Sequence, residues 1–205
     1  MAAKGQKIMK TMVCHGDSLT EASDLDKNYT WPVMVENRLN LRVVNSGIGG
    51  DTSGGLLARF YHDVVRHHPQ IVVILGGTND LWWDLDVNQI QANIFAMACQ
   101  AQFHNITPIV GLPLPLLMEN IRQQEMMAPV AGWPQCVHKL SELVAALSAS
   151  ARASDITCLD LYHPFLDENG EPLAKYFLED GLHPNKEGHL LMAEKTVALL
   201  SSLFD

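Results

Sequence analysis

The chain has 205 residues, of which 47% are hydrophobic and 18% charged, with a formal net charge of −9. These values suit one domain with a substantial core, predicted over residues 1–205, and exclude a disordered polar chain. The acidic balance argues against nucleic acid and anionic membrane surfaces as partners, and no apolar run approaches the roughly 20 residues that cross a bilayer.

Met1 to Lys10 is polar and basic, with no apolar core of signal-peptide length, so a cytoplasmic location is expected. Short apolar runs without alternation predict strands buried on both faces at Ile8–Cys14, Leu41–Asn45, Ile71–Leu75, Ile106–Val110 and Ile156–Leu161. Longer segments with helical spacing lie between them. Trp31–Leu39 places Trp31, Val35 and Leu39 on one face, and Ser53–His68 does the same with Leu56, Phe60 and Val64. Val87–His104 follows, with Asp86 and Gln89 as a capping pair, then Pro129–Ser150 and Asn185–Leu203. Strands alternating with helices predict an α/β fold: a three-layer α/β/α arrangement around five parallel strands. Cys14, Cys99, Cys136 and Cys158 form no CxxC pair and are expected to be buried thiols.

In such a sheet, groups that act together follow the carboxyl ends of strands. Four segments in those places carry unusual combinations: Gly16-Asp17-Ser18-Leu19, Asn45 to Ser53, Gly76-Gly77-Thr78-Asn79-Asp80, and Asp180-Gly181-Leu182-His183-Pro184. Ser18 needs a base to become a nucleophile, and His183 is a base of suitable pKa. Asp180, three residues before His183, is placed to hold one imidazole nitrogen and leave the other for Ser18. That is the logic of a serine–histidine–aspartate triad. Oxyanion donors are available from the backbone at Gly49-Gly50 and Ser18 and from the amide of Asn79, each worth roughly 2.7–4 kcal/mol to a transition state. Gly47-Ile48-Gly49-Gly50 fails the dinucleotide fingerprint, because Thr52 stands where the third glycine belongs. The other histidines lack zinc-ligand spacing, so no metal or other cofactor is expected.

Taken together and in order, these four segments resemble the blocks of the SGNH, or GDSL-type, esterase and lipase family, most like its small bacterial thioesterase I and lysophospholipase group. The family's four letters fall on Ser18, Gly50, Asn79 and His183. The resemblance implies a flavodoxin-like α/β/α fold. It implies Ser18 as nucleophile, His183 as base, Asp180 as its orienting acid, and Ser18, Gly50 and Asn79 as oxyanion hole. His15 departs from the apolar or aromatic residue usual before the GDSL block, and reads as a polar residue tolerated at a strand end.

The expected reaction is acyl transfer from a small-molecule ester through Ser18 to water. Trp82, Trp83 and the stretch Leu112–Pro134, with Met118, Met126 and Met127, are candidates for an apolar substrate wall. A carbohydrate O-deacetylase or an acyl thioesterase would use the same residues. A catalytically silent binding protein would have a broken triad, and a flavin-binding protein would have no use for Asp180 and His183.

Overall fold

The computed structural model describes residues 10–123 and 127–204. Ile8, Met9 and Met126 lie outside the described residues. Five strands, Thr11–Gly16 (β1), Arg42–Gly47 (β2), Ile71–Leu75 (β3), Thr107–Gly111 (β4) and Thr157–Leu159 (β5), form one sheet in the order β2-β1-β3-β4-β5. All four neighbouring pairs are parallel. Eight α-helices are described: Ser18–Glu21 (α1), Trp31–Leu39 (α2), Ser53–Asp63 (α3), Thr78–Trp82 (α4), Val87–Phe103 (α5), Met118–Ile121 (α6), Trp133–Ala153 (α7) and Lys186–Phe204 (α8).

Strand side chains alternate between two apolar layers, which is why β3 (Ile-Val-Val-Ile-Leu) is apolar throughout and buried at every position. Val13, Val72, Ile74 and Val110 face a core completed by Phe60 of α3, Ile94 of α5 and Leu147 of α7. Met12, Cys14, Val73 and Ile109 face the opposite core, with Trp31 and Val35 of α2 and Met192 and Leu200 of α8. The fold is therefore three-layered, as expected.

Several details differ from the sequence expectations. β2 is not buried on both faces: it is an edge strand, and Arg42 and Asn45 are exposed. The helix predicted over Ser53–His68 stops at Asp63, and Val65–His67 continue as a 3₁₀ turn closed by His68 at φ 47°. The helix predicted from Pro129 begins at Trp133, with Pro134 in its first turn. Among the cysteines, Cys14 and Cys136 are buried, Cys158 is half-buried and Cys99 is exposed on α5, against the expectation of four buried thiols.

Strand order reverses between β1 and β3, so a crevice opens beyond their carboxyl ends, as it does in doubly wound sheets generally. Gly16 pairs with Leu75 across that junction. The residues after β1 and β3 are thus brought side by side, and these are Asp17-Ser18 and the Gly76-to-Asp80 segment.

Candidate active site

Ser18 is the first residue of α1, directly after its N-cap Asp17, whose Oδ1 accepts from Leu19 N at 3.0 Å. The indole of Trp31 holds this short helix by donating from Nε1 to Leu19 O at 3.0 Å. Ser18 Oγ lies 2.9 Å from His183 Nε2. His183 Nδ1 lies 2.6 Å from Asp180 Oδ2. Asp180 Oδ1 accepts from the backbone N–H of Leu182 and His183 at 2.8 and 2.9 Å, so the carboxylate shapes the loop that presents the imidazole. That loop is also bound to the far side of the crevice, through Leu117 N donating to Gly181 O at 2.9 Å.

Electrostatics agree with this geometry. The hydrogen bond to Asp180 raises the His183 pKa above 6.5, outweighing the opposite effect of burial. Burial pushes the Asp180 carboxyl up, but hydrogen bonds from the His183 side chain and from backbone N–H groups hold it below the ordinary carboxylate value. Asp17 is wholly buried, and desolvation pushes its carboxyl up to about 7.

The glycine-rich segment after β2 comes against the serine. A Cβ at Gly49 would stand 3.9 Å from Ser18 Cβ. Asp51 N closes a turn onto Ile48 O at 3.2 Å, and Gly50 adopts φ 77° within it, a conformation suited to glycine. Asn79 Nδ2 donates to Asp51 O at 2.9 Å, which fixes the amide and leaves its second N–H available. Asp80, one residue on, accepts from Ser53 N at 2.8 Å and Ser53 Oγ at 2.5 Å, joining α4 to the start of α3.

A pocket of about 430 Å³, open solvent included, adjoins these groups. Ser18, Asn79 and His183 form its polar side, and Trp82, Leu116, Cys136 and Leu182 its apolar side. Of the residues expected in the substrate wall, Trp82 takes part, and the stretch Leu112–Pro134 contributes Leu116. Trp83 caps the C-terminus of α4 and is 57% exposed, facing solvent. Met118 packs half-buried against the core. Cys136 and Leu182 were not singled out by sequence, since an apolar residue in a helix or loop carries no local mark of facing a pocket. Among the described residues no group of three His, Cys, Asp or Glu could hold a metal ion.

A doubly wound sheet with serine, imidazole and carboxylate in hydrogen-bonded series at its switch point is the framework of a three-layer α/β/α hydrolase. The chain belongs to the GDSL-like lipase/acylhydrolase family, a family of carboxylic ester hydrolases, whose model matches residues 14–191. It is 29% identical over 185 residues to esterase TesA of Pseudomonas aeruginosa, covering 87% of this chain and 82% of that protein. It is 24% identical to thioesterase 1/protease 1/lysophospholipase L1 of Escherichia coli, covering 90% and 80%. A solved lipolytic protein of the G-D-S-L family from Desulfitobacterium hafniense superposes with TM-score 0.79 at 26% identity, covering 93% of this chain and 99% of that one.

Proposed function

We propose that this chain is a serine esterase in which Ser18 is the nucleophile, His183 the general base and Asp180 its orienting carboxylate. Ser18 N–H, Gly50 N–H and the Asn79 amide are the oxyanion donors. The observation that carries this reading is the unbroken series from Asp180 Oδ2 to His183 Nδ1 at 2.6 Å and from His183 Nε2 to Ser18 Oγ at 2.9 Å.

Ser18 Oγ attacks the ester carbonyl carbon while His183 Nε2 takes its proton. The negative charge that develops on the carbonyl oxygen is met by the three donors. Collapse breaks the bond to the leaving alcohol, which receives the proton from His183. Water then repeats the sequence on the acyl-serine, activated by the same imidazole, and releases the acid. Asp180 remains ionised throughout and stabilises the imidazolium. No metal or organic cofactor enters these steps.

The apolar side of the pocket favours acyl esters of modest length over sugar esters. The acetyl group is a second candidate, because a relative 27% identical to this chain is an acetylxylan esterase from Geobacillus stearothermophilus. We place the enzyme in a reducing compartment such as the cytoplasm, as one domain. The four cysteines stand free, and Cys14 and Cys136 belong to opposite cores with the sheet between them. No described helix is long and apolar enough to cross a membrane.

The test is hydrolysis of p-nitrophenyl esters from acetate to long-chain acyl groups, wild type beside Ser18→Ala. The variant is expected to lose about 10⁶ in kcat, by analogy with other serine hydrolases. Retention of activity in it would remove Ser18 from the mechanism. A sharp optimum at acetate would favour the deacetylase.

A further inference from the structure

Arg59 lies in α3 with only 16% of its side chain exposed. Its Nε donates to Asp51 Oδ2 at 2.7 Å, and its Nη2 to Gly16 O at 2.9 Å. Its Nη1 stands within reach of Ser46 O at 2.9 Å, Ser46 Oγ at 2.8 Å and Asp63 Oδ2 at 2.9 Å. Only Asp63 is the i,i+4 helix partner that would account for an ordinary surface arginine. The other acceptors belong to the last turns of β1 and β2 and to the loop that follows β2.

His15 closes the cluster from beneath. It is fully buried, with Nδ1 3.1 Å from Ser46 Oγ and Nε2 3.0 Å from Leu56 O, and its ring meets Phe60 edge-on. Its Nδ1 is 3.5 Å from Arg59 Nη1, so the imidazole must be neutral for the two to coexist. The polar residue that departs from the family's habit before the GDSL block is therefore a structural member of this cluster. Gly55 keeps room for it, because a Cβ there would collide with the Asp51 carboxylate.

The cluster touches every segment that bears an oxyanion donor. Gly16 precedes Ser18 by two residues. Asp51 follows Gly50, and its carbonyl accepts from Asn79 Nδ2 at 2.9 Å. We propose that Arg59 is a positioning residue that holds Ser18, Gly50 and Asn79 in mutual register through Gly16 and Asp51. This rests on the oxyanion reading given above. Three donors on three separate loops need such a tie, since misplacement by about 1 Å can cost on the order of 10² in rate. A planar guanidinium can serve several acceptors at fixed angles, whereas a lysine ammonium is a point charge without that fork.

The test uses the full chain with Arg59→Lys, Asn79→Ala and the double variant, measuring kcat and KM on one p-nitrophenyl ester. Arg59→Lys is expected to lower kcat by about 10–100-fold with KM changed less than about threefold, the signature of a contact that matters only in the transition state. Asn79→Ala alone is expected to lower kcat by roughly 10²–10³-fold. The double variant is expected to fall short of the product of the two losses by at least about tenfold, because a displaced donor has little left to lose.

Losses that multiply independently, or an Arg59→Lys enzyme with unchanged kcat, overturn the proposal while leaving the oxyanion reading intact. An Asn79→Ala enzyme with full activity overturns the oxyanion reading, and the proposal with it. Where Arg59→Lys does not fold, Ser46→Ala replaces it: this removes one hydroxyl from Arg59 and His15 but keeps the Ser46 carbonyl contact. It is expected to lower kcat by about three- to tenfold at constant KM, and to lower it little further on the Asn79→Ala background. Unchanged kcat in Ser46→Ala would overturn the proposal in that case.

Discussion

Asp180 and His183 have a near copy twenty residues earlier in the chain. Asp160 Oδ1 accepts from the N–H of Tyr162 and His163 at 3.0 Å each, and Asp160 Oδ2 lies 2.9 Å from His163 Nδ1. The same Asp-x-x-His turn forms twice because its hydrogen bonds are local. Surroundings separate the two. The His163 side chain is 63% exposed, whereas that of His183 is 27% exposed and has Ser18 on its other nitrogen. Only a shielded pair gains much from its carboxylate, since exposed pairs are screened by water. In the proposed mechanism His183 must be neutral to accept a proton, and Asp180 raises its pKa. Activity is therefore expected to rise with pH through a value above 6.5. Asp180→Asn removes the largest cause of that rise. Its acid limb in kcat/KM is expected to move to lower pH while kcat falls about 10³–10⁴-fold. His163→Ala is expected to leave the whole profile in place. A pH–rate series on the three proteins checks both, and an unmoved limb in Asp180→Asn would assign the titration to another group.

In the proposed enzyme, whole elements decide what the pocket would accept. Its apolar wall combines Trp82 from the end of α4, Cys136 from the first turn of α7, Leu116 from the stretch after β4 and Leu182 from the His183 loop. Trp82 also meets Trp133 edge-on at 4.9 Å, and Trp82 O accepts from Val130 N at 2.9 Å, so α4 and α7 pack here as a unit. Cys136 is 2% exposed, so a larger side chain has nowhere to go except the pocket or the core. Cys136→Leu is expected to move the acyl-chain optimum toward shorter esters, at a cost of about 1–3 kcal/mol in stability from overpacking. An unchanged optimum over a p-nitrophenyl ester series would mean that the acyl chain leaves by another route. The central strands were legible in sequence because buried parallel strands read as unbroken apolar runs, whereas the edge strand β2 was legible only through the short apolar pair Val43-Val44. Ser18, Asn79, Asp180 and His183 were legible because the carboxyl ends of parallel strands bring the loops beyond them to one rim. Trp83 was not, because a step of one residue turns a side chain by roughly 100° around a helix, and composition carries no such direction. The Arg59 cluster was equally silent: its main acceptors are backbone carbonyls and a carboxylate eight residues away, and only Asp63 at i+4 could have been read.

At the scale of the whole molecule, three buried titratable groups oppose one another. His15, at the end of β1, and His189, on α8, lie on different helical layers, and desolvation is the largest cause lowering each from 6.5 to about 4. His189 stays neutral as the acceptor for Trp31 N at 3.3 Å. Between pH 6.5 and 4 the unfolded chain therefore binds these protons and the native state does not. Stability falls as the pH drops through that window, by about 3 kcal/mol per histidine. Asp17 acts in the opposite sense. Its native pKa near 7 lies above the ordinary 3.8, so the native state holds a proton that the unfolded chain has lost. That contribution is fully present below about pH 4 and is gone above 7, a span worth about 4 kcal/mol. The two trends overlap, and the wild-type protein is expected to show only a shallow loss of stability from pH 7 to pH 4. Asp17→Asn keeps an acceptor for Leu19 N but carries no charge. It is expected to raise Tm most at pH 8, progressively less as the pH falls toward 4, and to leave the histidine-driven decline exposed and steeper. Adding His189→Gln, which retains an acceptor for Trp31 N, is expected to flatten that decline again by about half. Thermal unfolding of the three proteins from pH 4 to pH 8 measures each slope. A wild-type curve as steep as that of Asp17→Asn would mean that Asp17 is ionised in the native state, its unpartnered Oδ2 meeting a cation or ordered water instead of carrying a proton.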